Sequence, residues 1–165
     1  MEDFLEVKNS RISGKGFFAK KIILKGERIC FMKGELMDLN EMVERVDFDE
    51  EEGSDPLGVD DETYIDLDEF YRSINHSCKP NAFIRGKNEL VALKDIKEGE
   101  EIFFDYSTTM DDEKIPRDEQ WTMECNCGSE NCRGIVDQFK TLPKDRRDFY
   151  ITNKYVPDFI LRKFS

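Results

Sequence analysis

Apolar and polar residues alternate in short runs along most of this chain, the period of two expected of half-buried strands. "FLEV" (4–7) reads as a strand and "RISGKG" (11–16) as a glycine turn leading into apolar "FFA" (17–19). "TYIDL" (63–67) returns to strand alternation, "AFIRGKNELVAL" (82–93) reads as a hairpin turning at Gly86-Lys87-Asn88, and "EEIFFDY" (100–106) is the strongest strand of all. The period changes in "DLNEMVERV" (38–46), where Leu39, Met42, Val43 and Val46 fall at helical spacing behind an N-cap Asp38 with Glu41 three residues later. Pro143 and Pro157 each open a helical turn near the C-terminus, "PKDRRDFY" and "PDFILRKF". The fold expected is mainly β with short helices.

One pattern occurs twice. "AKKIILKGERI" (19–29) matches "ALKDIKEGEEI" (92–102) at identical spacing, pairing Ala19 with Ala92, Ile23 with Ile96, Gly26 with Gly99 and Ile29 with Ile102. Each copy reads as strand, Lys-Gly-Glu turn and strand, folded back on itself as a hairpin. Two copies are too few for a solenoid, so paired small sheets within one domain are expected, and 165 residues suit one domain with a real core.

Charge changes this picture in one place. The formal net charge is −12, and residues 46–71 hold 12 acids with no Lys or Arg, leaving 25 acids against 25 bases elsewhere. An acidic surface repels phosphate backbones and attracts Lys/Arg-rich proteins, so the expected partner is a basic protein and not a nucleic acid. The plainer reading of the same segment is a solvated loop that aids solubility. No apolar run reaches signal-peptide or membrane-spanning length, so a soluble intracellular protein without membrane attachment is expected.

Three of the five cysteines, Cys125, Cys127 and Cys132, fall within eight residues in "CNCGSENC". Thiols this close rarely pair with one another but can share a tetrahedral Zn2+, with Gly128 and Ser129 turning the chain around it. The fourth ligand must then come from Cys78, Cys30 or His76. Cys30 sits in apolar "ERICFM", where a free Cys is most often a small core residue, so Cys78 in polar "NHSCKPN" is preferred. Such a zinc is structural and ties the tail to the loop that also carries His76, the only histidine.

Taken in order, "GKGFFA" (14–19), "RSINHSCKPN" (72–81), "EEIFFDYS" (100–107) and "CNCGSENC" (125–132) resemble the SET-domain protein-lysine methyltransferases with a cysteine-rich post-SET tail. The resemblance implies a SET fold, small β-sheets around a pseudoknot, over residues 1–110 with 46–71 as an acidic insert. A zinc-binding tail and C-terminal helical segment follow over 111–165. It implies S-adenosylmethionine as methyl donor, held at Lys15, Gly16 and Phe17 and again at Arg72, Asn75 and His76. Tyr106 is then the catalytic tyrosine and also touches the cofactor. Phe104, Tyr64 and Tyr106 line the substrate channel, with Phe104 at the position where Phe or Tyr sets the number of methyl groups added. Cys78, Cys125, Cys127 and Cys132 are the implied zinc ligands. Trp121 is a candidate cover for the adenine, and Ser73 stands where many relatives carry a bulky aromatic residue.

The acidic insert lies where the family places a variable segment beside the substrate groove, which points to a histone or histone-like protein as substrate. The competing reading is a catalytically silent SET module that binds a basic partner. A zinc-ribbon nucleic-acid binder has suitable cysteines but the wrong charge, and a hydrolase triad lacks a free histidine.

Overall fold

The computed structural model describes residues 2–47 and 56–165, so part of the acidic segment, residues 48–55, lies outside the described residues. In chain order the strands and helices begin with β1 (Leu5–Asn9), β2 (Lys15–Ala19), β3 (Arg28–Phe31), β4 (Gly34–Asp38) and α1 (Leu39–Asp47). β5 (Pro56–Asp60), β6 (Thr63–Leu67), the single turn α2 (Glu69–Arg72) and the two-residue β7 (Asn75–His76) follow. Then come β8 (Ala82–Arg85), β9 (Glu89–Ala92), β10 (Glu101–Phe104), the short hairpin β11 (Met123–Glu124) and β12 (Ile135–Val136), α3 (Lys144–Thr152) and α4 (Asp158–Phe164). The mainly β reading with short helices holds. The capping box at α1 forms as its sequence implies, with Asp38 N–H donating to Glu41 Oε2 and Glu41 N–H to Asp38 Oδ1, both at 2.9 Å.

The two copies of the repeat do not fold back on themselves. The second strand of the first copy, β3, pairs with the first strand of the second, β9, while β10 pairs with β2. The backbone bonds at the crossing are two-fold symmetric, although β3 carries a bulge between Arg28 and Cys30 that β10 lacks. Ala19 N–H donates to Glu100 O while Ala19 O accepts from Gly99 N–H, and Ala92 N–H donates to Glu27 O while Ala92 O accepts from Gly26 N–H. Ile23 and Ile96 bond each other reciprocally at the axis, and both are buried. Gly26 and Gly99 both have φ of 84°, a backbone conformation that side chains resist, which explains the shared glycine. A hairpin within one copy would leave the apolar faces of Ile23 and Ile96 without each other. Pairing between copies buries both, each worth about 1.5–3 kcal/mol.

Among the described residues four sheets result, in the orders β1-β2-β10-β7, β3-β9-β8, β4-β6-β5 and β11-β12. The main core packs Phe17, Ile29, Met32, Ile84, Leu90 and Ile102 between the first two, and Leu57, Val59, Ile65 and Leu67 extend it into the third. The described part of the acidic segment is therefore not a solvated loop: alternate apolar residues of β5 and β6 point inward while acids point out. One of those acids, Asp66, pairs with Arg45 at 2.6 Å and Arg72 at 2.5 Å. A second small core, built on Phe139, Tyr150, Val156, Phe159 and Ile160, lies under α3 and α4.

β10 is the pivot of this arrangement. It runs antiparallel to β2 on one side and parallel to β7 on the other, with Phe103 opposite Asn75 and Phe104 opposite His76. Asn81, buried at 6 % exposure, caps it: its Nδ2 donates to Glu101 O and its Oδ1 accepts from Phe103 N–H, both at 2.8 Å. Replacing Asn81 with Ala strands one buried carbonyl and one buried amide. A loss of about 2–4 kcal/mol in denaturant unfolding is expected, with Asn81→Asp recovering part of it through the Phe103 amide. A loss below ~0.5 kcal/mol would show that water replaces the cap without penalty.

Candidate active site and cysteine centre

β10 delivers Tyr106 to a tightly specified position. Asp105 accepts from Ser107 N–H at 3.1 Å and starts a 3₁₀ turn over Tyr106–Thr109. Tyr106 N–H donates to His76 Nδ1 at 3.0 Å, and the Tyr106 hydroxyl donates to Ile74 O at 2.6 Å. Burial pulls His76 down to about 4 against the opposing pull of Asp105, so the ring is neutral near pH 7. Because Nδ1 accepts the amide proton, the ring proton belongs on Nε2, which faces Cys78 Sγ at 3.4 Å. Asp105 Oδ1 lies 3.6 Å from Nδ1, but with a neutral ring this is not an ion pair. The ring of His76 therefore serves Tyr106 and Cys78.

Tyr106 stands in the wall of a cavity of about 500 Å³ whose lining is largely apolar and aromatic. Tyr64, Tyr71, Ile74, Phe104 and Trp121 share that wall, with Arg72, Asp112 and Glu119 as its charged members. The Phe104 and Tyr106 rings lie 5.0 Å apart. Tyr64 donates its hydroxyl to Asp112 Oδ1 at 2.7 Å, and burial, then the Asp112 charge, raises its pKa, so it stays a donor. Asp112 is itself held by Gln138, whose Nε2 donates to Oδ2 at 3.0 Å. Tyr64 and Asp112 also border a second cavity of about 390 Å³, whose lining includes Asp61, Glu62, Asp111 and Glu113.

The remaining sequence-selected residues gather around β7. Asn75 Nδ2 lies 3.1 Å from Ser13 O, 2.8 Å from Lys15 O and 2.9 Å from Glu101 Oε1, pinning the glycine turn against β7 and β10. Gly14 has φ of 44° with open space where a Cβ would be, whereas a methyl on Gly16 would overlap the Glu101 carboxylate. Lys15 is exposed. Phe17 is fully buried and meets Phe70 edge-on at 4.8 Å, so its ring belongs to the core and only its backbone faces the turn. Arg72 falls with the cavity group instead: its Nε donates to Leu67 O and its Nη2 to Asp66 Oδ1, both at 2.5 Å. Two clusters thus meet at residues 74–76, the glycine turn on one side and the aromatic cavity on the other.

The four thiols of Cys78, Cys125, Cys127 and Cys132 lie within 4.8 Å of one another. Cys78 Sγ and Cys125 Sγ are 3.7 Å apart, against ~3.8 Å for the edge of a tetrahedron with metal–sulfur bonds of about 2.3 Å. Gly128 and Gly134, with φ of 70° and 76°, turn the chain so that one loop supplies three of the thiols. Burial works against the Cys127 thiolate, but hydrogen bonds from Ser129 and backbone amides outweigh it and bring the group to about 6. Arg133 N–H points at Cys78 Sγ at 3.4 Å, and Trp121 packs over the cluster. The donor set, spacing and supporting hydrogen bonds suit a tetrahedral Zn2+. Cys30 is not part of it: it sits in the main core, where burial pushes its thiol up to about 12.

Three residues that no local spacing announces complete the site. Arg133 donates both Nη1 and Nη2 to the Asp105 carboxylate at 2.9 and 2.7 Å, and Tyr150 donates its hydroxyl to Asp105 Oδ2 at 2.8 Å. Only the adjacency of Asp105 to Tyr106 and of Arg133 to Cys132 hinted at them.

Comparison with known proteins fits this geometry. The histone-lysine N-methyltransferase trithorax of Drosophila virilis is 34% identical over 148 residues, 82% of this chain and 4% of that protein. Histone-lysine N-methyltransferase SETD1B of Homo sapiens is 34% identical over 141 residues, 78% of this chain and 7% of that protein. A humanized mutant of Chaetomium thermophilum Polycomb Repressive Complex 2, solved with an inhibitor, superposes with a TM-score of 0.59 at 27% identity, covering 68% of this chain and 16% of that one. The chain therefore spans only a small part of these relatives' length. Residues 14–107 match the SET domain, and with the relatives above this shows that the chain belongs to the SET-domain family.

Proposed function

We propose that this chain is a protein-lysine N-methyltransferase acting on a basic protein of the histone class. The observation that carries this reading is the Tyr106 hydroxyl, donated to Ile74 O at 2.6 Å in the wall of the aromatic cavity. With its proton committed to a carbonyl, the hydroxyl presents its lone pairs to an incoming amine N–H and orients the nitrogen lone pair. A lysine ammonium has a pKa near ~10.4 and must lose a proton before it can act as a nucleophile. The apolar walls formed by Ile74, Phe104 and Trp121 favour the neutral amine by withdrawing water, and the ring faces of Phe104 and Trp121 tolerate a cationic neighbour. The proton passes to solvent water before the amine is enclosed, so no side chain of the cavity is needed as a dedicated base and positioning supplies the rate.

S-adenosylmethionine, when bound, supplies a methyl group on a sulfonium for in-line displacement. The residues suited to hold it are the backbone at Lys15, Gly16 and Phe17 and the neighbouring Asn75, close to the Glu101 carboxylate that complements a cation. The Zn2+ site is structural: its ligands Cys125, Cys127 and Cys132 would be fastened to Cys78, two residues from His76 and so near Tyr106. The named relatives are histone-lysine methyltransferases, and the acids bordering both cavities, with the net charge of −12, support a Lys/Arg-rich substrate. A nuclear location belongs to the same proposal and is supported by the histone-lysine methyltransferase names of the relatives. Phe104 lacks a hydroxyl that would hold water in the channel, which favours addition of more than one methyl group.

Tyr106→Phe is expected to lower turnover on histone H3 by about 100-fold while leaving S-adenosylmethionine affinity within about twofold, checked by intact mass and calorimetry. Equal turnover removes Tyr106 from the mechanism, and no transfer by the unaltered chain on any basic protein favours a silent binding module. Phe104→Tyr is expected to shift products toward the monomethyl form, read as mass steps. Cys132→Ser is expected to reduce bound zinc from one equivalent to nearly none by elemental analysis; a wild-type chain without zinc would defeat the metal assignment.

A further inference from the structure

We propose that Tyr150, on α3 in the C-terminal segment beyond the SET match, is a positioning residue for Tyr106 that acts through the Asp105 carboxylate. The inference rests on the methyltransferase reading for its catalytic consequence and on geometry for its structural one.

Asp105 is 1 % exposed and immediately precedes Tyr106. A carboxylate so buried is tolerated only when its oxygens are saturated with donors. Oδ1 accepts from Ser107 N–H at 3.1 Å and Arg133 Nη2 at 2.7 Å, and Oδ2 from Arg133 Nη1 at 2.9 Å and Tyr150 Oη at 2.8 Å. Arg133 also reaches Ser107 Oγ at 3.0 Å, so one guanidinium holds both residues that flank Tyr106. The Tyr150 hydroxyl is the sole donor in this set that comes from the helical segment, and its ring is fully buried against the small C-terminal core. The same helix sends Arg146 Nη2 to Cys78 O at 3.2 Å. α3 therefore grips both the residue before the reactive tyrosine and a residue of the cysteine centre.

The Asp105 carboxylate holds the peptide on the far side of Tyr106 through Ser107 N–H, and so works together with the peptide between residues 105 and 106. That peptide's N–H is the one donated to His76 Nδ1, and its orientation sets where the Tyr106 ring enters the cavity. Without the Tyr150 hydroxyl, Oδ2 keeps only one Arg133 nitrogen, and the carboxylate gains freedom to rotate toward His76, 3.6 Å away. Reaction rates fall steeply with such displacements, whereas substrate binding depends on cavity walls that Tyr150 does not touch.

Tyr150→Phe keeps the packed ring and removes only the hydroxyl. The expected result is a roughly tenfold lower kcat on a histone H3 peptide, with KM for peptide and for S-adenosylmethionine within about twofold. Amide hydrogen exchange over residues 103–109 is expected to accelerate, while α3 and α4 keep their protection and zinc content is unchanged. Tyr155→Phe, which removes a hydroxyl from a ring packed on Phe83 and Phe149, serves as the control and should change neither readout. In an Asp105→Asn background, Tyr150→Phe should add little further loss, since the two act as one unit. Unchanged kcat, unchanged exchange at 103–109, full additivity with Asp105→Asn, or loss of protection throughout α3 and α4 would each overturn the proposal. Should the wild-type chain transfer no methyl group to any basic protein, the functional reading fails by itself. Exchange at 103–109 then decides alone whether Tyr150 positions Tyr106.

Discussion

Everything reactive in this molecule hangs on the placement of one four-residue strand with both edges occupied. β10 has β2 on one side and β7 on the other, the latter pairing parallel, and Asn81 satisfies the backbone groups that neither neighbour reaches. A strand fixed on both edges cannot slip by one residue without turning its buried side chains to the wrong face. Ile102 and Phe104 point into the main core and the cavity, and the chain leaves the strand at Asp105 and Tyr106 in one defined direction.

Polar groups are managed in three different ways around that exit. His76 is kept neutral by burial, which frees Nδ1 to accept the Tyr106 amide. Asp105, almost wholly buried, has its oxygens taken up by the Arg133 fork, Ser107 N–H and the Tyr150 hydroxyl. The thiols are gathered where a cation can be shared among them. These arrangements touch: His76 contacts Cys78, Arg133 bridges Asp105 and the Cys78 sulfur, and Arg146 reaches the Cys78 carbonyl. The cysteine centre and the Tyr106 site are thus one connected network, so a metal held by the thiols, as proposed above, would bear on the geometry of Tyr106.

The acids play the opposite part. Those on β5 and β6 face outward on strands whose other face is core, so a segment that looks like a solvated tail in composition contributes walls to the cavity through Leu57, Tyr64 and Leu67. Asp112 and Glu119 stand at the aromatic cavity, and Asp61, Glu62, Asp111 and Glu113 border its neighbour. A basic peptide entering the cavity would meet both acids and apolar walls in its lining, a combination suited to a long cationic side chain.

Local chemistry was legible in the sequence because it is written at short separation. The capping box of α1, the turn at Gly86, the proline starts of α3 and α4 and the loop that carries three cysteines all depend on residues within a few positions of one another. The motif order also identified Tyr106, Phe104, Tyr64, Cys78 and Asn75 as residues that the fold then brings to the cavity, the thiol cluster or the glycine turn. Tertiary structure decided what short-range pattern leaves degenerate. Each repeat copy has the composition of a hairpin, yet its strands pair with the other copy, because only that exchange buries Ile23 against Ile96. The inward turn of the His76 ring, the burial of Phe17 and the grip of Arg133 and Tyr150 on Asp105 belong to the same class. Those contacts join residues 28 to 45 positions apart or more, and which partner wins is set by the donors and apolar faces that come to share one interior.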